Sequence, residues 1–117
     1  MGVQAHCGRA TYYGAAVVVR ACYRRPYESE IEQRTCELVL HELSVFNIKL
    51  AKTNETGSPD RLFLIPGGKP LFVEFKRPGG VVSARQALML KRLQHFGYDA
   101  VVCDSVESAM AAIKARM

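Results

Sequence analysis

The stretch GSPDRLFLIPGGKPLFVEFKRPGG, residues 57–80, decides the fold. It holds two apolar runs, Arg61 to Ile65 and Leu71 to Lys76, joined by Pro66 to Pro70. Neither proline can donate a ladder hydrogen bond, so the five joining residues are expected to form a hairpin loop between two antiparallel strands. If Ile65 faces Leu71 across that loop, Asp60 stands opposite Lys76 and diagonal to Glu74, and all three side chains share one face. Diagonal cross-strand neighbours have Cα atoms roughly 7–8 Å apart, within reach of converging Asp and Glu side chains. A slip of one residue would send Asp60 to the opposite face. Two carboxylates meeting at a strand end repel unless a cation sits between them or one is protonated. All-oxygen donors of that kind suit Mg²⁺ or Mn²⁺. The plainer reading is a solvated surface hairpin, because charged residues are mostly exposed. Against it, Glu74 and Lys76 interrupt an otherwise apolar strand, LFVEFK, and Ser-Pro-Asp ahead of the preceding strand supplies the second acid.

Outward from the hairpin, Ser29 is expected to cap a helix running to about Ser44, with Ile31, Leu38, Val39, Leu43 and Phe46 on its apolar face. Glu30, Arg34, Glu37 and His41 follow the spacing of a solvated stripe. Glu32 aligns instead with Cys36, Val39 and Leu43, on the flank of the apolar face, and could point at the sheet as a third acid. Glu28, one turn earlier, is the alternative, and both also fit first-turn acids that favour the helix dipole. A strand is expected over 48–53 and a turn over 54–59. Beyond the hairpin, Ser83 opens a second helix that Gly97 ends, Ala100 to Cys103 reads as a buried strand, and Ser105 caps a third helix to about Arg116. The order from Glu28 is αβββαβα. A crossover through the second helix makes the last strand parallel to the third, giving an α/β fold with a mixed sheet flanked by helices.

The bulk numbers bound the function. With 117 residues, 49% of them hydrophobic, the chain suits one domain with one core. No apolar run approaches the roughly 20 residues that a bilayer demands. Ala15 to Val19 follows no charged segment of the kind that opens a secretory signal, so no membrane role and a cytoplasmic location are expected. Four cysteines without a C-x-x-C pair argue against zinc. The net charge of +5 suits a polyanion, but residues 1–27 carry Arg9, Arg20, Arg24 and Arg25 with no acid, leaving +1 for the rest. Residues 1–27 thus form an unassigned leader or arm, in which Tyr12, Tyr13, Tyr23 and Tyr27 alternate with arginines and Ala15 to Cys22 could form a strand; residues 28–117 form the main domain.

GSPDR (57–61), the LIPGG loop (64–68), VEFKRPG (73–79), SARQ (83–86), Ile31-Glu32 in the first helix and the GYDAVVCDSVE ending (97–107) occur in one order over nearly the whole body. This set resembles the PD-(D/E)XK nuclease superfamily with its restriction-endonuclease-like core and, within it, a stand-alone VRR-NUC domain of phage or bacterial type. The resemblance implies metal-dependent hydrolysis of DNA phosphodiester bonds in a bacterial or phage-infected cell. Asp60 and Glu74 would be the central metal ligands, with the backbone carbonyl of Phe75 a further one, and Glu32 would match a helix acid that contacts the metal directly or through water. Lys76 would orient the attacking water and offset charge in the transition state. Gln86 matches a glutamine that follows the E-x-K motif in such domains, yet Ser83-x-x-Gln86 is also a capping box. Arg77 and Arg85 first, then Lys52, Lys69, Lys91 and Arg92, would contact phosphates without reading bases. A preference for branched, junction or flap DNA and a homodimer are also expected, because one small domain has little area for two DNA strands. A catalytically silent nucleic-acid-binding module and an α/β interaction subunit are the competing readings.

Overall fold

The computed structural model of the chain describes residues 8–13, 16–21, 26–51 and 57–117. Near the N-terminus, β1 (Gly8–Tyr13) and β2 (Ala16–Ala21) form a two-stranded antiparallel sheet in which Gly8 faces Ala21 and Tyr13 faces Ala16. Of the β-branched run expected to form a strand, Ala16–Ala21 does so, and Gly8–Tyr13, which has no strand pattern of its own, is its partner; Ala15 and Cys22 lie outside the described residues.

The main body begins with α1 (Glu28–Leu43). Tyr27, not Ser29, is the N-cap and makes no side-chain cap bond, so the first turn relies on Glu28 and Glu30 set against the positive end of the helix dipole. The helix ends at Ser44, whose φ of 55° is left-handed. The Val45 amide donates back to the Val39 carbonyl at 3.1 Å. This stop buries Val45 and starts β3 (Phe46–Lys49) at once. Phe46, expected on the apolar face of the helix, is thus a strand residue, 60% exposed. The strand expected over 48–53 starts two residues earlier and ends at Lys49; Lys52 and Thr53 lie outside the described residues.

The central hairpin is β4 (Arg61–Ile65) and β5 (Lys69–Phe75). Its loop has three residues rather than five, because Gly67 and Gly68 take φ of 95° and 78° and turn the chain immediately after Pro66. Pro70 pairs with Leu64 inside the ladder. It is tolerated because β6 (Asp99–Cys103) begins opposite Leu71, leaving Pro70 with a neighbouring strand on one side only. Ile65 consequently faces Lys69 and Arg61 faces Val73, a shift of two residues from the expected register. An even shift keeps every side chain on its face, and it sets Asp60 beside Glu74 rather than beside Lys76.

The main sheet has the order β3-β4-β5-β6, antiparallel except for the parallel pair β5–β6, which is joined through α2 (Ala84–His95). One face carries Phe63, Ile65, Leu71, Val73 and Phe75 against Ile31 and Val39 of α1 and Ala109, Met110 and Ile113 of α3 (Val106–Lys114), all buried. Each large apolar side chain sealed there contributes about 1.5–3 kcal/mol. The other face receives α2, whose Gln94 Nε2 donates to the Ala100 carbonyl at 3.0 Å. Both later helices carry capping boxes, Ser83 with Gln86 and Ser105 with Ser108. At the end of α2, Gly97 at φ 91° donates to Gln94 and Tyr98 donates to Leu93, which closes the helix with paired reverse bonds. Among the described residues no helix is long and apolar enough to cross a membrane.

Candidate active site

The candidate residues Asp60, Glu74, Lys76 and Gln86 gather where β4 begins, β5 ends and α2 starts, with Glu28 at the start of α1 reaching Lys76. Gly57 is the first determinant. At φ +63° it passes so close to α2 that a Cβ there would lie 2.6–2.8 Å from the Arg85 carbonyl and the Gln86 nitrogen. Only glycine fits, and this contact seats Gly-Ser-Pro-Asp on the first turn of α2. Asp60 follows, held by its backbone on both sides: its N–H donates to the Val73 carbonyl and its own carbonyl accepts from the Leu50 N–H, each at 3.0 Å. Its Oδ2 accepts from the Phe75 N–H at 2.7 Å. The carboxylate is thereby aimed at the end of β5.

Glu74 lies on the α2 side of β5 and is 1% exposed. A buried carboxylate needs hydrogen bonds and a counter-charge. Gln86 Nε2 donates to its Oε2 at 2.6 Å, and Lys76 Nζ stands 3.5 Å from the same oxygen. Lys76 also lies 3.6 Å from Glu28 Oε1. A string of polar groups therefore runs from the start of α1 through Lys76 and Glu74 to the start of α2.

Gln86 does two things in one conformation. Its Oε1 accepts from the Ser83 N–H at 2.9 Å and its backbone N–H donates to Ser83 Oγ at 3.1 Å, completing the cap, while its Nε2 serves Glu74. Cap and carboxylate partner are not alternatives.

The two helix acids separate. Glu28 reaches Lys76. Glu32, 8% exposed, turns to the β3–β4 side, where its Oε2 accepts from Arg61 Nε at 2.6 Å and Lys49 Nζ at 3.0 Å. Arg61 also donates to Asn47 Oδ1 at 3.0 Å. Neither Asn47 nor Lys49 stands out in the sequence, since only the β3–β4 register brings them to Glu32. Among the described residues no three acids, histidines or cysteines converge as a ligand group.

The cations expected to meet phosphate spread around this centre. The Arg77 guanidinium lies 5.3 Å from the centroid of the Tyr27 ring, a cation–π contact that ties the end of β5 to the start of α1. Arg85 is exposed on the first turn of α2, and Lys69 is exposed at the hairpin tip, away from the carboxylates. Lys91 and Arg92 are exposed further along α2. Lys52 lies outside the described residues. A shallow depression lined by Lys49, Leu50 and Ala51 opens beside Asp60.

Cys36, on the helix turn after Glu32, is half-buried; burial pushes its thiol up, with the nearby Arg61 charge opposing. Burial likewise raises the Cys103 thiol, with a hydrogen bond from Ser108 opposing. Both are free core thiols.

A phage protein named "Putative nuclease p44", from Acyrthosiphon pisum secondary endosymbiont phage 1, is 39% identical over 57 residues, which cover 49% of this chain and 61% of that protein. The chain thus spans about six-tenths of the length of that relative. A solved structure described as a VRR_NUC domain superposes with a TM-score of 0.64 at 24% identity, covering 74% of this chain and 94% of the other, a likeness of fold. The sequence model of the VRR-NUC domain matches residues 20–107, a span that runs from β2 into α3 and takes in Glu28, Asp60, Glu74, Lys76 and Gln86; the chain belongs to the VRR-NUC family.

Proposed function

We propose that the chain is a nuclease that hydrolyses DNA phosphodiester bonds with the help of a bound Mg²⁺ or Mn²⁺. The observation that carries this reading is the sealed Glu74 carboxylate, 1% exposed and 3.5 Å from Lys76, with Asp60, just ahead of the neighbouring strand, fixed by the Phe75 amide. A protein that sought stability alone would gain from an apolar residue at such a position, because burying an ion pair repays its desolvation poorly.

The donor chemistry fits the ion. Two carboxylates and a backbone carbonyl are all hard oxygens, and Mg²⁺ typically binds through one or two carboxylates while keeping waters and taking phosphate oxygens. Asp60 and Glu74 would hold it, with the Phe75 carbonyl as a further oxygen. When bound, it would polarise the phosphoryl oxygen and lower the pKa of the attacking water.

The chain's own groups do the rest. Lys76 Nζ, anchored between Glu28 and Glu74 and largely shielded, can donate to the attacking oxygen and offset the charge that builds on the phosphorane-like transition state. Gln86 Nε2 fixes the rotation of the Glu74 carboxylate. The Phe75 N–H does the same for Asp60. The positive dipole ends of α1 and α2 favour a phosphate alongside. Arg77, Arg85, Lys69 and Lys52 would grip the backbone at neighbouring phosphates without reading sequence.

We assign branched, junction or flap DNA as the preferred substrate and a homodimer as the working form. On the α2 side of the sheet Phe46, Ile48 and Leu64 remain exposed, an apolar surface that a second copy would cover, and a two-fold pair would present two sites for paired cuts. Incubation with labelled four-way junctions, flaps and linear duplex, in Mn²⁺ or in EDTA, tests the reading, with light scattering for the dimer. Cleavage should require the metal, favour the branched substrates and vanish in Asp60→Ala. Cleavage that persists in EDTA or in Asp60→Ala, or none on any substrate, would overturn it.

A further inference from the structure

Lys49 and Arg61 stand directly opposite each other in the β3–β4 ladder, at the end nearest Asp60. Like charges on one cross-strand pair repel. Glu32 answers both with a single oxygen, at 2.6 Å from Arg61 and 3.0 Å from Lys49. The Arg61 side chain is 22% exposed and is fixed at a second point by Asn47, whereas that of Lys49 is 64% exposed. One residue before Arg61, Asp60 is bonded by its backbone to Val73 of β5 and to Leu50, the residue that follows Lys49. The spacing of Lys49 and Arg61 is therefore coupled, through Leu50 and the Asp60–Arg61 backbone, to the place of the Asp60 carboxylate.

We propose that Glu32 is a positioning residue, the buried counter-charge that closes the Lys49–Arg61 pair and so aims Asp60 at the Phe75 amide, and not a ligand of the metal. Its importance to the site rests on the nuclease reading above, in which Asp60 holds the ion. Glu32 acts on that ion only through the backbone between Arg61 and Asp60, while Lys76 takes its helix contact from Glu28.

The Phe75 amide reports the arrangement without any metal, because its N–H donates to Asp60 Oδ2. Amide exchange is measured by NMR in EDTA on the wild-type chain, Glu32→Gln, Lys49→Gln and the double variant. The Phe75 rate is taken relative to that of Ala109, a core amide of α3 that a merely global loss of stability would move equally. Calorimetric Mn²⁺ titrations run in parallel. In Glu32→Gln the relative Phe75 exchange should rise and Mn²⁺ affinity should fall roughly tenfold, the lower end of what losing a support behind a ligand costs. Lys49→Gln alone should change either by less than about twofold, as expected for an exposed ion pair. In the double variant the repulsion is gone, and both losses should shrink by more than half. An unchanged Phe75 rate in Glu32→Gln overturns the proposal. So does a loss of Mn²⁺ binding that Lys49→Gln does not relieve, which would mark Glu32 as a direct ligand. If the wild-type chain neither takes up Mn²⁺ nor cuts DNA, the nuclease reading falls, and the Phe75 exchange alone still decides whether Glu32 places Asp60.

Discussion

Replacing Gln86 with methionine keeps the length of the side chain and its helix propensity but removes the donor and the acceptor that it uses simultaneously. The 2.6 Å bond from Nε2 to the sealed Glu74 carboxylate is charge-assisted, and such bonds contribute about 1.5–3 kcal/mol when one partner is lost. The bond from Ser83 to Oε1 lies at the surface, and a neutral bond of that kind contributes about 0.5–1 kcal/mol. Gln86→Met should therefore destabilise the metal-free protein by about 2–4 kcal/mol. Replacing Glu74 by methionine as well removes the carboxylate that Gln86 serves, so in that background the same substitution should cost only the cap. Urea unfolding of the four proteins in EDTA measures the difference, and the coupling energy should come to about 1.5–3 kcal/mol. A coupling below about 0.5 kcal/mol, within the scatter of independent sites, would refute the claim that one amide holds both groups.

Gly57→Ala places a methyl group 2.6–2.8 Å from the backbone of α2 in a left-handed conformation, which alone costs about 1–2 kcal/mol, so a loss beyond 2 kcal/mol should appear in thermal melts. Thr35 is fully buried and its Oγ1 finds no partner among the described residues; Thr35→Val, of the same shape, should raise stability by about 1 kcal/mol in urea titrations. The Cys36 and Cys103 thiols are raised by burial, so the folded state keeps protons that the unfolded chain releases above about pH 8.5. Their contribution is intact below that pH and falls as pH rises through the folded values; unfolding free energies should decline on that side, and thiol reagents at pH 8, followed by peptide mapping, should label Cys36 and Cys103 far more slowly before unfolding than after.

Much of the scaffold was legible because its signals are local. Ser83, Ser105 and Gly97 mark helix ends through bonds that span three or four residues, and the structure has those ends. The sequence points to Ser29 as the cap of α1, whereas the cap at Tyr27 makes no side-chain bond and so carries no capping signature. The hairpin was legible as a hairpin, but its register was not. Two prolines suggested a five-residue loop, whereas the positive φ of Gly67 and Gly68 makes three residues enough. The surroundings of Glu32 were the least legible part. Helical spacing gives the direction in which a side chain leaves α1, but not which strand cations it meets, and that depends on the pairing of β3 with β4 across the segment from Leu50 to Asp60. Gln86 resisted a single assignment from sequence for a simpler reason: its amide has two ends, and the fold uses both.

The two carboxylates and their glutamine also differ in when they can meet. Asp60 and Glu74 are joined by a tight hairpin whose closure entropy is small, while Gln86 reaches Glu74 only after the chain has crossed over to build a parallel strand pair, a slower event in most folding reactions. The acids are thus expected to be brought together before the donor that quiets one of them arrives. The Gln86–Glu74 bond is then made after the rate-limiting barrier, and Gln86→Met should act mainly by raising the unfolding rate, with only the lost local bond to Ser83 able to slow folding. A residue whose side chain steadies a buried carboxylate then also sets how long each molecule stays folded between visits to the unfolded ensemble.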